Sequence, residues 1–107
     1  MTMEPIITVS TVLAMFMSMV NQTDNNQYCY NADMENSKVN NIEVYDNLKS
    51  GLKAKVKYTY AYDSNDRLTE KQTLAYNNMT KTWMNMSRLT YKYNDNGMTI
   101  EKCLWNA

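Results

Sequence analysis

The chain contains no histidine. The usual acid/base near neutral pH and the commonest protein ligand of zinc are therefore missing. Carboxylates, tyrosines, lysines and two cysteines remain as candidate chemistry, and the composition argues against a metal hydrolase. Net charge is also lacking, with 11 basic against 11 acidic residues. Without a global positive field, a nucleic-acid partner is not expected. Glycine (2), proline (1) and phenylalanine (1) are scarce, whereas tyrosine reaches 9. With asparagine and threonine also abundant, this balance suits twisted, half-solvated strands better than a helical bundle. At 107 residues the chain is one domain at most, with a modest core. Ten methionines stand out, partly clustered at Met15, Met17 and Met19. Gap-filling is the plainer reading of them and an adaptable contact surface the sharper one.

From Ile6 to Val20 the sequence IITVSTVLAMFMSMV is apolar or small and uncharged, and polar NQTDNNQ follows. This profile matches the apolar stretch of a signal peptide. It is shorter than the roughly 20 residues that cross a bilayer as a helix. Glu4 and Pro5 stand where a basic start is expected, and no small-residue cleavage site precedes Asn21. The expectation is export to the periplasm, the cell surface or the medium, with membrane contact only through this segment. The alternative is an apolar helix retained on one sheet face in a cytoplasmic protein.

In KVKYTYAYD, Val56, Tyr58, Tyr60 and Tyr62 alternate with Lys55, Lys57, Thr59 and Ala61, which is the period of a strand. One face carries rings and the other long amines and small residues. DSND at 63–66 is turn chemistry, and RLTEKQTLAYN returns from Arg67. After the polar NNMTK, TWMNMSRLTYKYN places Trp83, Leu89, Tyr91 and Tyr93 on one parity. Asn96-Gly97 signals a tight turn with both residues at its centre, and MTIEKCLWN returns with Met98, Ile100 and Leu104 on one side.

The two hairpins repeat. Tyr60 to Tyr91 and Glu70 to Glu101 are both steps of 31 residues. A weaker copy runs through Cys29-Tyr30 and VNNIEVYDN. The fold class expected is all-β, an antiparallel meander of repeated hairpins with five or six strands, preceded by the apolar N-terminal segment. The division is residues 1–20 as signal peptide or apolar helix, 21–38 as a polar region with a candidate first strand, and 39–107 as the hairpin-repeat domain.

The stretch YTYAYDSNDRLTEKQTLAYNNMTKTWMNMSRLTYKY resembles the repeat core of a Bacteroides family of small secreted proteins, the domain of unknown function 3836. The resemblance spans Val39 to Trp105. It rests on the two Y-x-Y pairs, R-x-T-E-K after the polar turn, Tyr76-Asn77 and Trp83. It implies export and a β-rich fold, and it brings no activity. The leader departs from the family's basic start, and the sequence stops at CLWNA where family members tend to continue into another strand.

The candidate ligand-facing aromatics are Tyr58, Tyr60, Tyr62, Trp83, Tyr91 and Tyr93. As a stacking platform they would serve a sugar or a peptide; as core they would bury rings and keep hydroxyls wet. The lysines interleaved with Tyr58, Tyr60 and Tyr62 project from the opposite face, which argues against a groove for single-stranded nucleic acid. Cys29 and Cys103 are the only thiols. A bridge between them would close a long loop, and two unpaired thiols are the alternative. Glu70 with Glu101, or Asp63 with Asp66, are carboxylate pairs of the kind glycoside hydrolysis requires. The repeated Glu-Lys is more simply cross-strand charge pairing. No catalytic, metal-binding or cofactor-binding residues are assigned, and no cofactor is expected. The functional expectation is an exported, non-enzymatic structural or interaction protein acting through its aromatic face or an open sheet edge, where self-association is one outcome. The alternative is a small carbohydrate- or peptide-binding module. The partner, whether glycan, peptide or protein, is left open.

Overall fold

In a computed structural model of the chain, residues 6–21 and 27–105 are described. The Glu4-Pro5 start, most of the polar NQTDNNQ stretch and Asn106 lie outside them. Helix α1 (Val9–Asn21) is followed by six strands: β1 (Tyr28–Glu35), β2 (Lys38–Leu48), β3 (Gly51–Tyr62), β4 (Leu68–Asn77), β5 (Thr82–Asn94) and β6 (Gly97–Leu104). They form one antiparallel sheet in chain order, β1 to β6. The expected meander is present, with six strands. The apolar segment adds a helix to it, and the β1–β2 hairpin belongs to the same sheet as the repeats.

Local chemistry explains the turns. At Asn36 and Ser37 both φ values are positive (52° and 67°), the pairing that a two-residue hairpin loop favours. In the DSND turn the Asp63 carboxylate accepts from the Asn65 amide at 2.8 Å, the Arg67 amide at 3.0 Å and Arg67 Nε at 2.9 Å. These bonds, the Arg67 amide first, hold its carboxyl below the usual range. Asp63 is thus a turn anchor, and its role as half of a carboxylate pair is set aside. The last hairpin differs from expectation by one residue. Asn94 pairs with Gly97, so Asp95 and Asn96 form the centre, and Gly97 (φ 139°) takes the backbone that a side chain would strain.

The helix begins at Thr8, whose Oγ1 accepts from the Thr11 amide at 3.4 Å. Val12 and Phe16, one turn apart, are its buried residues, while Met15 and Met17 face out. Val12 and Phe16 join Val39, Ile42, Val44, Leu68 and Tyr91 in the core. The segment is tied down at its start as well. The Leu68 amide donates to the Ile7 carbonyl and the Val9 amide to that of Asp66.

Register shifts interrupt four of the five strand pairings: at Asp33/Met34, Val44/Tyr45, Ala61/Tyr62 and Thr73/Leu74. Only β5 with β6 pairs without a shift. Each extra residue reverses the alternation of faces beyond it, because side chains in a strand have a period of two. Val39 and Ile42, three apart, share the core because Asn40 is skipped in the pairing with β1.

Candidate binding face

The register shift between β4 and β5 divides the predicted aromatic set. Tyr58, Tyr60, Tyr62, Tyr91 and Tyr93 all pack against the core on the helix-covered face. The Tyr62 hydroxyl donates to the Val39 carbonyl at 2.8 Å. That of Tyr93 donates to the Leu68 carbonyl and lies 3.2 Å from that of Ile7. Burial pushes the Tyr60 phenol far up, and raises Tyr62 to about 12. These rings are core with anchored hydroxyls.

Trp83 does not share their face. On β5, Ser87 pairs with Thr73 but Asn85 with Leu74, so Met86 is the extra residue. Strand parity therefore reverses at Met86. Trp83, two residues before Asn85, lies opposite Tyr76 on the far face, with ring centroids 5.2 Å apart and planes at 73°. The single six-ring face expected from alternation is corrected by this one residue.

The far face gathers residues that the parity argument did not connect. Lys57, which pairs with Glu43 across β2 and β3, places Nζ 5.9 Å from the centre of the Trp83 ring. The Tyr45 hydroxyl occupies Glu43 Oε2 at 2.8 Å, and this hydrogen bond is the main cause raising the Tyr45 phenol. In the neighbouring row Gln72 Nε2 donates to Asn85 Oδ1. Beyond it, the Arg88 guanidinium lies 5.5 Å from the Trp105 ring, and its Nε is buried with no hydrogen-bond partner. Neither Lys57 nor Arg88 makes an ion pair among the described residues.

Two depressions flank the Tyr76–Trp83 pair. The larger, about 730 Å³, is lined by Met79, Met84, Met86, Asn78 and both tryptophans. The smaller, about 400 Å³, includes Glu43, Tyr45 and Leu52 beside the same two rings. Around them Met79 is 94% and Trp105 38% exposed.

Lysines and rings are thus not segregated as strict alternation implied. Lys57 does oppose its tyrosine neighbours but meets Trp83. Lys55, at the β2–β3 shift, lies 4.6 Å from the Tyr28 ring centre, where its Nζ also pairs with Asp46 at 3.7 Å. Lys71 is opposite Tyr60 in register, 4.8 Å from the Tyr58 ring and 5.9 Å from that of Tyr60, and burial lowers its pKa. The repeated Glu-Lys therefore serves two purposes. Glu101 pairs with Lys92 at 3.1 Å on the solvated side, whereas Lys71 lies under the helix beside a cavity of about 90 Å³. Cys29 on β1 and Cys103 on β6 sit on opposite edges, and both are free. Five strand spacings, roughly 24 Å, separate those edges, far beyond the roughly 7 Å limit between the Cα atoms of a disulfide.

The signal for the far face was present in part, since Tyr76-Asn77 and Trp105 mark the strand ends in the sequence. The residue that reversed the parity, Met86, carries no local turn signature.

Comparison with known proteins places this architecture. Three crystal structures are similar to it. A DUF3836 family protein from Bacteroides vulgatus has a TM-score of 0.71 and 28% identity, covering 76% of this chain and 83% of that one. Another from Parabacteroides distasonis has a TM-score of 0.67 at 23% identity, covering 77% of each chain, and speaks to the fold alone. A protein of unknown function from Bacteroides fragilis has a TM-score of 0.64 and 30% identity, covering 78% of this chain and 62% of that one. No curated protein matches the chain. The sequence model of the family of unknown function DUF3836 matches residues 2–107, and the chain belongs to that family.

Proposed function

We propose that this chain is an exported, non-enzymatic interaction protein that binds its partner on the uncovered sheet face around Tyr76 and Trp83. One observation carries the reading. The sheet uses its two faces differently, one filled by tyrosines under α1 and the other presenting an aromatic pair between two depressions. Apolar rings left accessible beside amides are the composition of a contact surface rather than of a solvated sheet face. The groups gathered there recognise and orient; they do not form a nucleophile with its base.

Export rests on the uncharged apolar run from Ile6 to Val20. No helix among the described residues is long and apolar enough to cross a membrane. The burial of Val12 and Phe16 favours a second reading on one point, retention of the helix in the finished protein. N-terminal sequencing of the product from fractionated native cells tests both. A chain beginning beyond residue 21 removes retention, and an intact chain confined to the cytosol removes export.

A carbohydrate-binding module is the second reading of the same face, favoured by the amides of Asn78 and Asn85 beside the rings. A tryptophan-fluorescence titration against a glycan panel decides it, since a flat response rules it out. The binding face itself is tested by a photo-crosslinking residue at position 79 or 105 in the native cell. Discrete adducts are expected there and not from a control at position 36 in the β1–β2 turn. Equal labelling at all three positions, or none, refutes the reading.

A further inference from the structure

We infer that the cavity beneath α1 binds a small aliphatic monocarboxylate, acetate or propionate, with the carboxylate on Lys71, Tyr60 and Tyr91 and the alkyl group against the helix. The site lies on the opposite sheet face from Tyr76 and Trp83 and is independent of what binds there. It rests on the retention of α1 in the finished protein, because the helix forms one wall of the cavity. Three observations converge on it.

The first is the polar content. Lys71, Tyr60 and Tyr91 all line the cavity. They are neighbours by register: Lys71 faces Tyr60 across β3 and β4, and its partner on β5, Leu89, lies two residues before Tyr91. The hydroxyls of Tyr62 and Tyr93 donate to backbone carbonyls, whereas those of Tyr60 and Tyr91 make no hydrogen bond among the described residues. An ammonium and two phenols thus bring donors to one small space whose lining has no side-chain carbonyl or carboxylate to receive them.

The second is charge. Lys71 makes no ion pair among the described residues. Helix α1 carries no charged side chain. The strand positions that share the helix-covered face carry one acid, Asp46, which lies opposite Tyr28 and Lys53 and pairs with Lys55 at 3.7 Å. In the turn before β4, Asp63 pairs with Arg67 and Asp66 with Lys38. Glu70, beside Lys71 in the chain, projects from the other face, opposite Ala61 and Thr90. The Lys71 amine therefore meets rings rather than an anion, and burial lowers its pKa with no acid opposing the shift. A half-buried cation without a counter-ion is costly, and an anion bound beside it offsets that cost.

The third is size and lining. The cavity holds about 90 Å³. A cavity of ~150 Å³ accommodates benzene, or roughly 25 Å³ for each non-hydrogen atom, which leaves room here for about four such atoms. Acetate has that size, and propionate fits when the flexible Met15 or Met19 side chain yields. Val12, Phe16, Ile42 and Leu68 complete an apolar wall for the alkyl group. Inorganic phosphate has no apolar part to place against that wall, and a sugar is too large.

The test is saturation-transfer NMR on the folded full-length chain with sodium acetate and sodium propionate, at an ionic strength held constant with sodium chloride. Both should bind saturably, while acetamide, which has the shape of acetate without its charge, and hexanoate, which is too long, should not. Lys71→Met should weaken binding at least 10-fold, and Tyr60→Phe and Tyr91→Phe at least 3-fold each, with folding verified by circular dichroism. Lys55→Met, which removes a cation already paired with Asp46, should bind as the parent does. Independently of any variant, the propionate methyl should show nuclear Overhauser contacts to the Met15 and Met19 methyl groups of the parent chain. Displacement by chloride alone, an equal response to acetamide, undiminished binding by Lys71→Met, or absence of those contacts overturns the inference. N-terminal sequencing of the native product separates the two ways it can fail. If the product keeps α1 and the full-length chain does not bind, only this inference falls; if the product begins beyond residue 21, retention falls and the site with it.

Discussion

Replacing Phe16 with alanine tests whether the N-terminal helix is part of the fold or merely near it. Phe16 is 8% and Val12 3% exposed, and both contact a core whose sheet residues, Val39, Ile42 and Leu68, are at most 2% exposed. Removing a buried phenylalanine typically costs about 3 to 5 kcal/mol, through lost transfer energy and the cavity left behind. A single helix on the surface of a sheet relaxes more easily than a helix in an interior, so the lower figure of about 3 kcal/mol applies. Val12→Ala should cost about 2 kcal/mol. Met15→Ala, at a position 60% exposed on the same helix, supplies the control and should cost less than about 0.5 kcal/mol. In urea unfolding followed by far-ultraviolet circular dichroism, a slope of about 1.5 kcal/mol per molar turns the Phe16→Ala cost into a midpoint about 2 M lower. A Phe16→Ala midpoint indistinguishable from that of Met15→Ala would refute the packing argument and leave the sheet to hold its core without the helix.

Three further outcomes follow from the geometry. The phenols of Tyr60, Tyr62, Tyr91 and Tyr93 are all raised by burial, so the folded state holds their protons more tightly than the unfolded state does. That stability is fully present below pH about 10 and is lost as pH climbs, for Tyr62 through about 12; phenolate absorbance at 295 nm should rise in step with loss of the sheet signal, and titration of all tyrosines together near pH 10 with the sheet intact would contradict it. Lys71 has the opposite sign: its lowered pKa means that the charged amine weakens the fold at neutral pH, an effect that fades as pH rises toward its unfolded value of 10.5. Lys71→Met should stabilise by about 1 kcal/mol at pH 7, with a smaller gain at pH 10, whereas a loss of stability at pH 7 would show that the amine's contact with the Tyr58 and Tyr60 rings dominates. Both cysteines should react with a thiol reagent in the folded monomer, Cys103 faster because it is exposed; a mass increase of about 2 Da on reduction of the monomer would require an intrachain bridge that the sheet order does not allow.

The sequence by itself determined the strands of the two repeated hairpins, their meander order and the polar turns between them, the last turn to within one residue. KVKYTYAYD alternates over nine residues, DSND and NNMTK supply side chains that bond their own backbone, and each hairpin is closed by neighbours in the chain. Such features are local, so a local pattern suffices to specify them. The helix was legible as an apolar run, and its packing on the sheet stood only as the alternative to a signal peptide, because its length and composition serve both equally well. Its place in the core depends on Val12 and Phe16 meeting Ile42 and Leu68, which are distant in sequence. The candidate site was legible only as a set of rings. Tertiary structure decided which rings share a face, since cross-strand register, unlike alternation, depends on both strands at once. One unpaired residue on β5, Met86, turns Trp83 away from Tyr91 and toward Tyr76 and Lys57. With a period of two, a single extra residue is enough to move a would-be core ring to the opposite face of the sheet, the face proposed to bind.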